Sequence, residues 1–448
     1  LVDMKDVPRD SALEALQQAV DPETIKRYLA PHFGKQVQVQ NVKVERFQYK
    51  PGRSARITYV VKLRDTETGK RAKQILCGRM ESVAAIQALH AKMRRRTWVT
   101  PTYGPALLWL PDLSMLLWGF PNDPKLDGME SIGDSKQFLE LLRTLPAGEK
   151  LSAVSCEGTV IKYVPGKRLV MKQVIKDAAG LQTVLYTKTF GHDRGEAIYD
   201  IMRYLFECSR RDAGALTTPE PLGWLGSVRT LVQCELAGWS AVDTLRGDSW
   251  QRFMQDVGRG LASIHASGAQ GLESWSSRDE IDNLQHASQL LLDHEDRHAE
   301  SITLLRQLAA EQRDKLPEAP QLPIHTAFRY TQLLADADRL ALVDFDGFRQ
   351  GDAACDVGSF LAHLHYLAVK HEISFEQSQE AARIFLDSYR ATAQHPVDDA
   401  AVAWYTAVIL VAKHAQKMVK RLKEDGDEKL DRLLTDALKL LQQRPLAE

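Results

Sequence analysis

The sequence is poor in several features that would have fixed its class at once. Its five cysteines (Cys77, Cys156, Cys208, Cys234 and Cys355) are scattered, odd in number and without a Cys-x-x-Cys pair. That pattern favours reduced, buried thiols in a cytoplasmic protein over a disulfide or zinc framework. Charge of one sign is not in excess: the formal net charge is −1. Broad electrostatic binding to nucleic acid or to an anionic membrane therefore has no basis, and neither partner is expected. No secretory signal is read at the start. The longest apolar run, Ala400 to Ala412, includes Thr406 and is too short to span a bilayer. Aromatics are few, at 7%, and no basic stretch is interleaved with them in the manner of a nucleic-acid binder.

What is present is the composition of a soluble globular protein, 44% apolar and 26% charged over 448 residues. Such a length holds about two or three domains and a large core. Two short helical patterns, Ala12 to Ala19 and Pro22 to Leu29, come first, with Pro22 at a favoured first-turn position after Asp21. From Val37 the period becomes that of strands. Val42, Val44 and Phe47 lead to Tyr49, the Lys50-Pro51-Gly52-Arg53 turn comes next, and Ile57, Tyr59 and Val61 run back.

This pattern occurs twice. Tyr163-Val164-Pro165-Gly166-Lys167 repeats Tyr49-Lys50-Pro51-Gly52-Arg53 at an offset of 114 residues. Each copy continues with a second strand (Arg56 to Leu63, Leu169 to Ile175) and a third (Gln74 to Met80, Thr183 to Phe190). A helix (Val83 to Met93, Glu196 to Cys208), a proline and another strand pair complete it. Internal duplication of a strand-rich unit is the simplest account. Pro121 to Pro124 with Gly128, Gly133 and Asp134 reads as the exit from the first copy, and Asp134 to Leu145 as a connecting helix. After Gln233 to Gly238 helices dominate. Neither copy has a Gly-x-Gly-x-x-Gly loop, so a phosphate cover would come from the backbone of Pro165 to Arg168 and its two cations.

The chain is organised around Leu322 to Leu361. An apolar strand end (Leu322 to Ile324) precedes a polar loop and a hairpin of short apolar strands. Its second strand presents Asp344, Phe345 and Asp346, and a helix opens over Asp352 to Phe360. This segment resembles the catalytic segment of the aminoglycoside phosphotransferase and choline kinase-like family. The matching residues are His325, Phe328, Leu333-Leu334, Val343-Asp344-Phe345-Asp346, Gly351-Asp352 and Asp356. Ala327 stands where that family has its catalytic Asp, and Gln332 where it has a metal-binding Asn.

The resemblance implies an α+β, protein kinase-like two-lobed fold with an antiparallel-sheet N-lobe and a mostly helical C-lobe. Here it is preceded by an extra N-terminal α+β domain that looks like a duplicated N-lobe. The expected domains are 1–150 (N-lobe-like repeat), 151–238 (N-lobe) and 239–448 (helical C-lobe with the catalytic-loop-like segment 322–361). It also implies ATP and Mg²⁺. Asp344, with Asp346 and Gln332, is the candidate metal set, since Mg²⁺ takes oxygen ligands and few of them from protein. Lys188 is the candidate cation for the nucleotide phosphates, fixed by Glu196, with Asp200 and Glu207 as other candidates. Arg79 holds the corresponding place in the first copy. Gly166 marks the phosphate-side turn, and Gln233, Glu235 and Leu236 the linker beside the base.

His325 opens the catalytic loop, either holding it by hydrogen bonds or acting as a base. Arg329 is a candidate for the transferred phosphate. The expected function is an atypical ATP-dependent phosphotransferase acting on a hydroxyl of a polar small molecule. The alternative is a non-catalytic, nucleotide-binding kinase-like protein that regulates or scaffolds a protein partner through its N-terminal domain. The basic run Lys413, Lys417, Lys420, Arg421 and Lys423, at helical spacing, reads as a solvated face.

Overall fold

A computed structural model describes residues 7, 9–50, 52–211, 216–236, 239–240, 244–245, 247–270, 273–292, 296–335, 340–417 and 426–442. Pro51, Ala237, Gly238, Lys420, Arg421 and Lys423, named above, lie outside them. The architecture is mixed α+β, and two compact units divide it. The first comprises residues up to 196 together with 222–232; the second comprises 197–221 and most of the chain from 233 onward.

The first unit is built on two five-stranded sheets. Helices α1 (Leu16–Val20) and α2 (Pro22–Leu29) lead into β1 (Val37–Lys50), β2 (Ser54–Asp65) and β3 (Arg71–Met80). Helix α3 (Val83–Met93) and the strands β4 (Leu107–Leu110) and β5 (Met115–Gly119) come next. The sheet order is β1-β2-β3-β5-β4. The chain then forms α4 (Met129–Gly133), α5 (Ser135–Arg143), α6 (Pro146–Glu149), β6 (Ala153–Val164), β7 (Arg168–Asp177) and β8 (Gln182–Phe190). After α7 (Gly195–Arg211), the strands β9 (Pro221–Leu225) and β10 (Thr230–Cys234) complete the second sheet, in the order β6-β7-β8-β10-β9.

Local chemistry explains these elements. Asp21 caps α2 by accepting the Thr24 N–H at 2.9 Å, and Asp134 caps α5 through the Gln137 N–H at 2.9 Å. Every second residue of β2 (Ile57, Tyr59, Val61, Leu63) and of β7 (Leu169, Met171, Gln173, Ile175) is buried, as a sheet with one covered face requires. The first helix is shorter than its apolar spacing predicts. Residues 10–13 are instead held in a turn, where Asp10 Oδ1 accepts the Ala12 N–H at 2.8 Å.

The two hairpin turns are gripped alike. Asp10 Oδ2 accepts the Tyr49 hydroxyl at 2.7 Å and the Gly52 N–H at 2.8 Å. Asp123 Oδ2 accepts the Tyr163 hydroxyl and the Gly166 N–H, both at 2.7 Å. Gly52 (φ +62°) and Gly166 (φ +65°) are left-handed, a conformation glycine adopts without cost.

The second unit is mostly helical. Two small sheets accompany the helices: β11 (Trp239–Ser240) with β14 (Leu333–Ala335) and β15 (Leu340–Leu342), and β12 (Ser274–Trp275) with β16 (Arg349–Gly351) and β13 (Leu322–Ile324). Among the described residues no helix is long and apolar enough to cross a membrane.

The latch yields a stability prediction. Asp123→Ala leaves the Tyr163 hydroxyl and the Gly166 N–H without their acceptor, and should cost about 1–3 kcal/mol for each donor left buried and unsatisfied. Asp10 is raised by burial but lowered more by its bonds from Tyr49, Gly52, Ala12 and Leu13, so its net pKa lies below the usual carboxylate value. A depressed carboxylate stabilises above its unfolded pKa and loses that contribution as pH falls through the folded one. Asp10→Asn should therefore shrink the difference in urea midpoint between pH 6 and pH 3.

Candidate active site

The strand β13 leads into the loop that begins at His325, and β16 pairs with it antiparallel, Ile324 opposite Arg349. At its end the His325 N–H donates to Asp356 Oδ2 at 2.5 Å. Asp356 is fully buried in the first turn of the helix Ala354–Val369 and also meets His265 Nε2 at 3.3 Å. His265 Nδ1 in turn pairs with the Tyr389 hydroxyl at 2.8 Å. The His325 ring has no exposure, and Phe328, Phe345 and Phe348 surround it at centroid distances of 6.4, 5.8 and 5.9 Å. Burial holds its pKa below the ordinary imidazole value. Among the described residues both ring nitrogens are buried without a hydrogen-bond partner, and it is the backbone N–H that makes the bond to Asp356.

Thr326 (φ +61°) and Asp344 (φ +73°) both occupy the left-handed region, which costs an L-residue about 1–2 kcal/mol. Thr326 is held there from two sides. Its hydroxyl donates to the Gly347 carbonyl at 2.8 Å, and its own carbonyl accepts Lys413 Nζ at 2.6 Å. Ala327 comes next, partly exposed and with no proton acceptor. Arg329, also partly exposed, precedes the 3₁₀ turn Tyr330–Gln332 and accepts the Gln332 N–H through its carbonyl at 3.0 Å.

The β14–β15 hairpin then brings two ends of the loop together. Leu333 lies opposite Leu342, and the Gln332 carbonyl accepts the Val343 N–H at 2.9 Å, one residue before Asp344. Gln332 is 5% exposed, and among the described residues its Oε1 is buried without a hydrogen-bond donor. Asp346, in the 3₁₀ turn Phe345–Gly347, is partly exposed.

In the first unit Lys188 projects from β8. The register sets Lys162 beside Val170 and Val170 beside Lys188, with Arg168 and Lys172 at alternate positions on either side of Val170. One face of the sheet therefore carries four cations, of which the sequence singled out Lys188 and, in the turn, Arg168. Lys188 Nζ lies 5.3 Å from the Phe190 ring centroid. Glu196 opens α7 with its side chain exposed. The Gly166 and Lys167 N–H groups are taken by Asp123 and by the Val164 carbonyl, so the turn has cations rather than free amides to offer an anion. Gln233 and Leu236 are partly buried and Glu235 exposed at the end of β10. In the first sheet Arg56 pairs with Arg79 as Val170 pairs with Lys188, and Arg79 is tied to Glu81 by its Nε at 3.1 Å.

Residues 192–405, just under half of the chain, match the model of the phosphotransferase enzyme family. The resemblance read from the catalytic segment holds. Among solved structures, the chain is similar to spectinomycin phosphotransferase in complex with ADP and spectinomycin. There identity is 10%, coverage is 69% of this chain and 99% of that one, and the TM-score is 0.47. A choline kinase from Cryptosporidium parvum is 13% identical over 69% of this chain and 96% of its own, with a TM-score of 0.49. The choline kinase LicA from Streptococcus pneumoniae is 14% identical over 67% and 99%, with a TM-score of 0.45. No curated protein matches the chain.

Within the phosphotransferase-like segment, no cluster of three His, Cys, Asp or Glu side chains forms a metal site among the described residues. The set Asp344, Asp346 and Gln332 offers oxygen alone, which suits Mg²⁺, and the undonated Gln332 Oε1 fits a cation ligand. A surface cavity of about 360 Å³, lined by Leu322, Asp352, Ala353, His395 and Asp398, includes none of these residues.

The expected solvated face is corrected at Lys413. The helix carrying it widens to a π-turn over Leu410–Ala415, and its ammonium reaches inward to Glu280 Oε1 at 2.9 Å as well as to Thr326. Burial pushes the Lys413 pKa down, and the Glu280 carboxylate more than offsets it, so the lysine stays charged. Charge spacing along a helix could not reveal this, because Glu280 lies 133 residues away. Lys417 is turned to a ring, 5.4 Å from the Tyr366 centroid. Lys162, Lys172 and Glu280 were likewise missed; only strand register and tertiary pairing single them out.

Lys413→Met should destabilise the fold by about 3 kcal/mol or more, since it leaves Glu280 buried and uncompensated; the urea midpoint reads this directly. A second prediction concerns pH. His363 and His414 are buried, stacked on Tyr330 and Tyr366 at 4.8 and 4.4 Å, and burial, then Lys417, holds both well below the ordinary imidazole pKa. Below about pH 6.5 the unfolded imidazoles bind protons that the folded ones refuse. Stability should fall on acidification by up to about 1.4 kcal/mol per pH unit per histidine. His414→Phe should flatten the slope between pH 7 and pH 5.

Proposed function

We propose that the chain is an atypical ATP-dependent phosphotransferase whose acceptor is a hydroxyl of a small polar molecule. The observation that carries this reading is the open end of the β14–β15 hairpin. There a left-handed Asp344 and a buried amide oxygen without a donor, Gln332 Oε1, are brought to neighbouring positions. Neither feature is needed to close a hairpin, and together they offer hard oxygen ligands. Asp344, Asp346 and Gln332 would hold Mg²⁺, which would supply positive charge to offset that of the nucleotide phosphates. Lys188 and the cations sharing its face, Lys162, Arg168 and Lys172, supply charge for the nucleotide phosphates. Arg329, one residue beyond Phe328, is assigned to the transferred phosphate.

Ala327 supports a second reading, a nucleotide-binding protein without transferase activity that regulates or scaffolds a partner through its N-terminal domain. The His325 ring is fully buried among three phenylalanine rings, and Ala327 carries no proton acceptor.

The finer domain division is also ours. Two sheets of equal strand order, each closed by an Asp–Tyr–Gly latch, support a duplication of the N-lobe. The latch residues Asp10 and Asp123 suggest that the second repeat starts with α4 and α5, which then belong with the second sheet. The remainder of the chain after β10 is the helical C-lobe.

Calorimetric titration of the full chain with ATP tests the reading. Binding is expected with Mg²⁺ present, weaker by at least tenfold in Lys188→Ala and in Asp344→Ala, as for lost charge-assisted contacts. Absence of heat in the wild type retires both readings. Turnover of ATP against a panel of polar metabolites separates them: equal residual rates in wild type and Asp344→Ala would leave only the non-catalytic one. Ala327→Asp should raise a true transferase by on the order of 10²–10⁴.

A further inference from the structure

The hairpin turn at Gly166 faces a second set of cations, contributed by the first sheet. The β1–β2 register places Gln48 opposite Arg56 and Lys50 opposite Ser54, so Arg46, Gln48, Lys50 and Arg56 share one face of the sheet. The turn of the second sheet packs close to it. A side chain at Gly166 would come within 3.6 Å of Arg56 Nη1 and 3.6 Å of Lys125 Cδ.

That turn is rigid. The Gly166 N–H is held by Asp123, and the Lys167 carbonyl accepts the Gly191 N–H at 2.8 Å. Asp123, the acid that grips the turn, is already committed to the Tyr163 hydroxyl and to the Gly166 and Lys125 N–H groups. Burial, then Arg46, Arg56, Arg168 and Lys50, holds the Lys167 pKa below its ordinary value. Like charges gathered on a fixed turn oppose folding, and an anion reverses the sign of their effect.

We infer that Arg46, Lys50 and Arg56 of the first repeat and Lys167 of the second form a binding site for a polyphosphate group. Guanidinium forks pair with phosphate oxygens in two-point contacts, and a chain of phosphates can meet several such cations where a single carboxylate meets one. Arg46, Lys50 and Arg56 lie outside the set assigned above to the nucleotide, and Lys167, from the turn read as a phosphate cover, is shared with it. The site gives the first repeat a binding role of its own.

Inorganic tripolyphosphate is the probe, titrated into the full chain at ionic strength matched with sodium chloride. Saturable binding is expected, weakened about tenfold or more in Arg46→Ala and in Arg56→Ala, and less in Arg56→Lys. The alanine variants should lose the rise in melting temperature that tripolyphosphate induces in the wild type. Should either variant fail to fold, Lys50→Gln at an exposed position reads the same loss. ATP as competitor distinguishes the source: displacement of tripolyphosphate assigns a nucleotide's own phosphates, and simultaneous binding assigns a free polyphosphate. No saturable binding in the wild type, or wild-type affinity in the alanine variants, overturns the inference. If in the latter case ATP binding is still lost in Lys188→Ala, the nucleotide reading survives alone.

Discussion

One buried carboxylate holds the helical unit in register. Asp356 has no exposure, and it joins three parts of the chain that are far apart in sequence. Its own helix supplies it, the His325 N–H reaches it from the end of β13, and His265 reaches it from the end of the helix Trp250–His265. Tyr389, on a fourth element, secures His265 from the other side. Both donors meet Oδ2, while among the described residues Oδ1 is buried without a partner. Losing either donor would leave a buried carboxylate further uncompensated, at a cost of several kcal/mol. The catalytic loop therefore starts at a fixed point. Beyond that point the backbone is strained: Thr326 and Asp344 both turn left-handed, and Lys413 with Glu280 props the first of them from within.

The two sheets of the first unit, alike in strand order, make corresponding contacts with different side chains. In the first sheet the Tyr59 hydroxyl donates to the Ala19 carbonyl at 2.7 Å, tying β2 to α1. In the second, Gln173 Nε2 donates to the Ile132 carbonyl at 2.9 Å, tying β7 to α4. The two residues lie 114 positions apart, the offset of the hairpin turns, and an aromatic and an amide thus make one contact. The geometry asks for a donor of a certain reach and leaves its chemistry open. At the Arg79 and Lys188 positions, by contrast, the chemistry separates the sheets. Arg79 is an arginine bonded to Glu81, two residues on, whereas the second sheet has a lysine, Lys188, on the face that also carries Lys162, Arg168 and Lys172.

How much of this was legible in the sequence depends on the distance over which each feature is encoded. Strand alternation around Tyr49 and Tyr163, the proline-glycine turns and the capped helix at Pro22 are local, and they were read to within a few residues. The catalytic segment was legible because loop, hairpin and succeeding helix are contiguous. The latch was not, since Asp10 lies 39 residues from Tyr49 and Asp123 lies 40 from Tyr163. Nothing in either neighbourhood marks those acids as acceptors, and Asp10 instead shortened a helix that apolar spacing alone had drawn longer. Lys413 was misread for the same reason. A cation in a basic run looks solvated until a buried glutamate from another helix is placed against it.

The loop's missing acid changes less than its prominence suggests. Left-handed Asp344 costs about 1–2 kcal/mol, and a buried acceptor without a donor at Gln332 about 1–3 kcal/mol. A hairpin that had only to close would be more stable without either. Both persist beside an Ala327 that can accept no proton. In phosphoryl transfer, positioning and charge neutralisation carry most of the acceleration, and the base contributes the smaller part. In the proposed reading, Asp344 and Gln332 bear on metal and phosphate, and Ala327 bears on the acceptor's proton. The proposed retention of nucleotide binding therefore rests on the backbone itself, whichever way the question of turnover is answered.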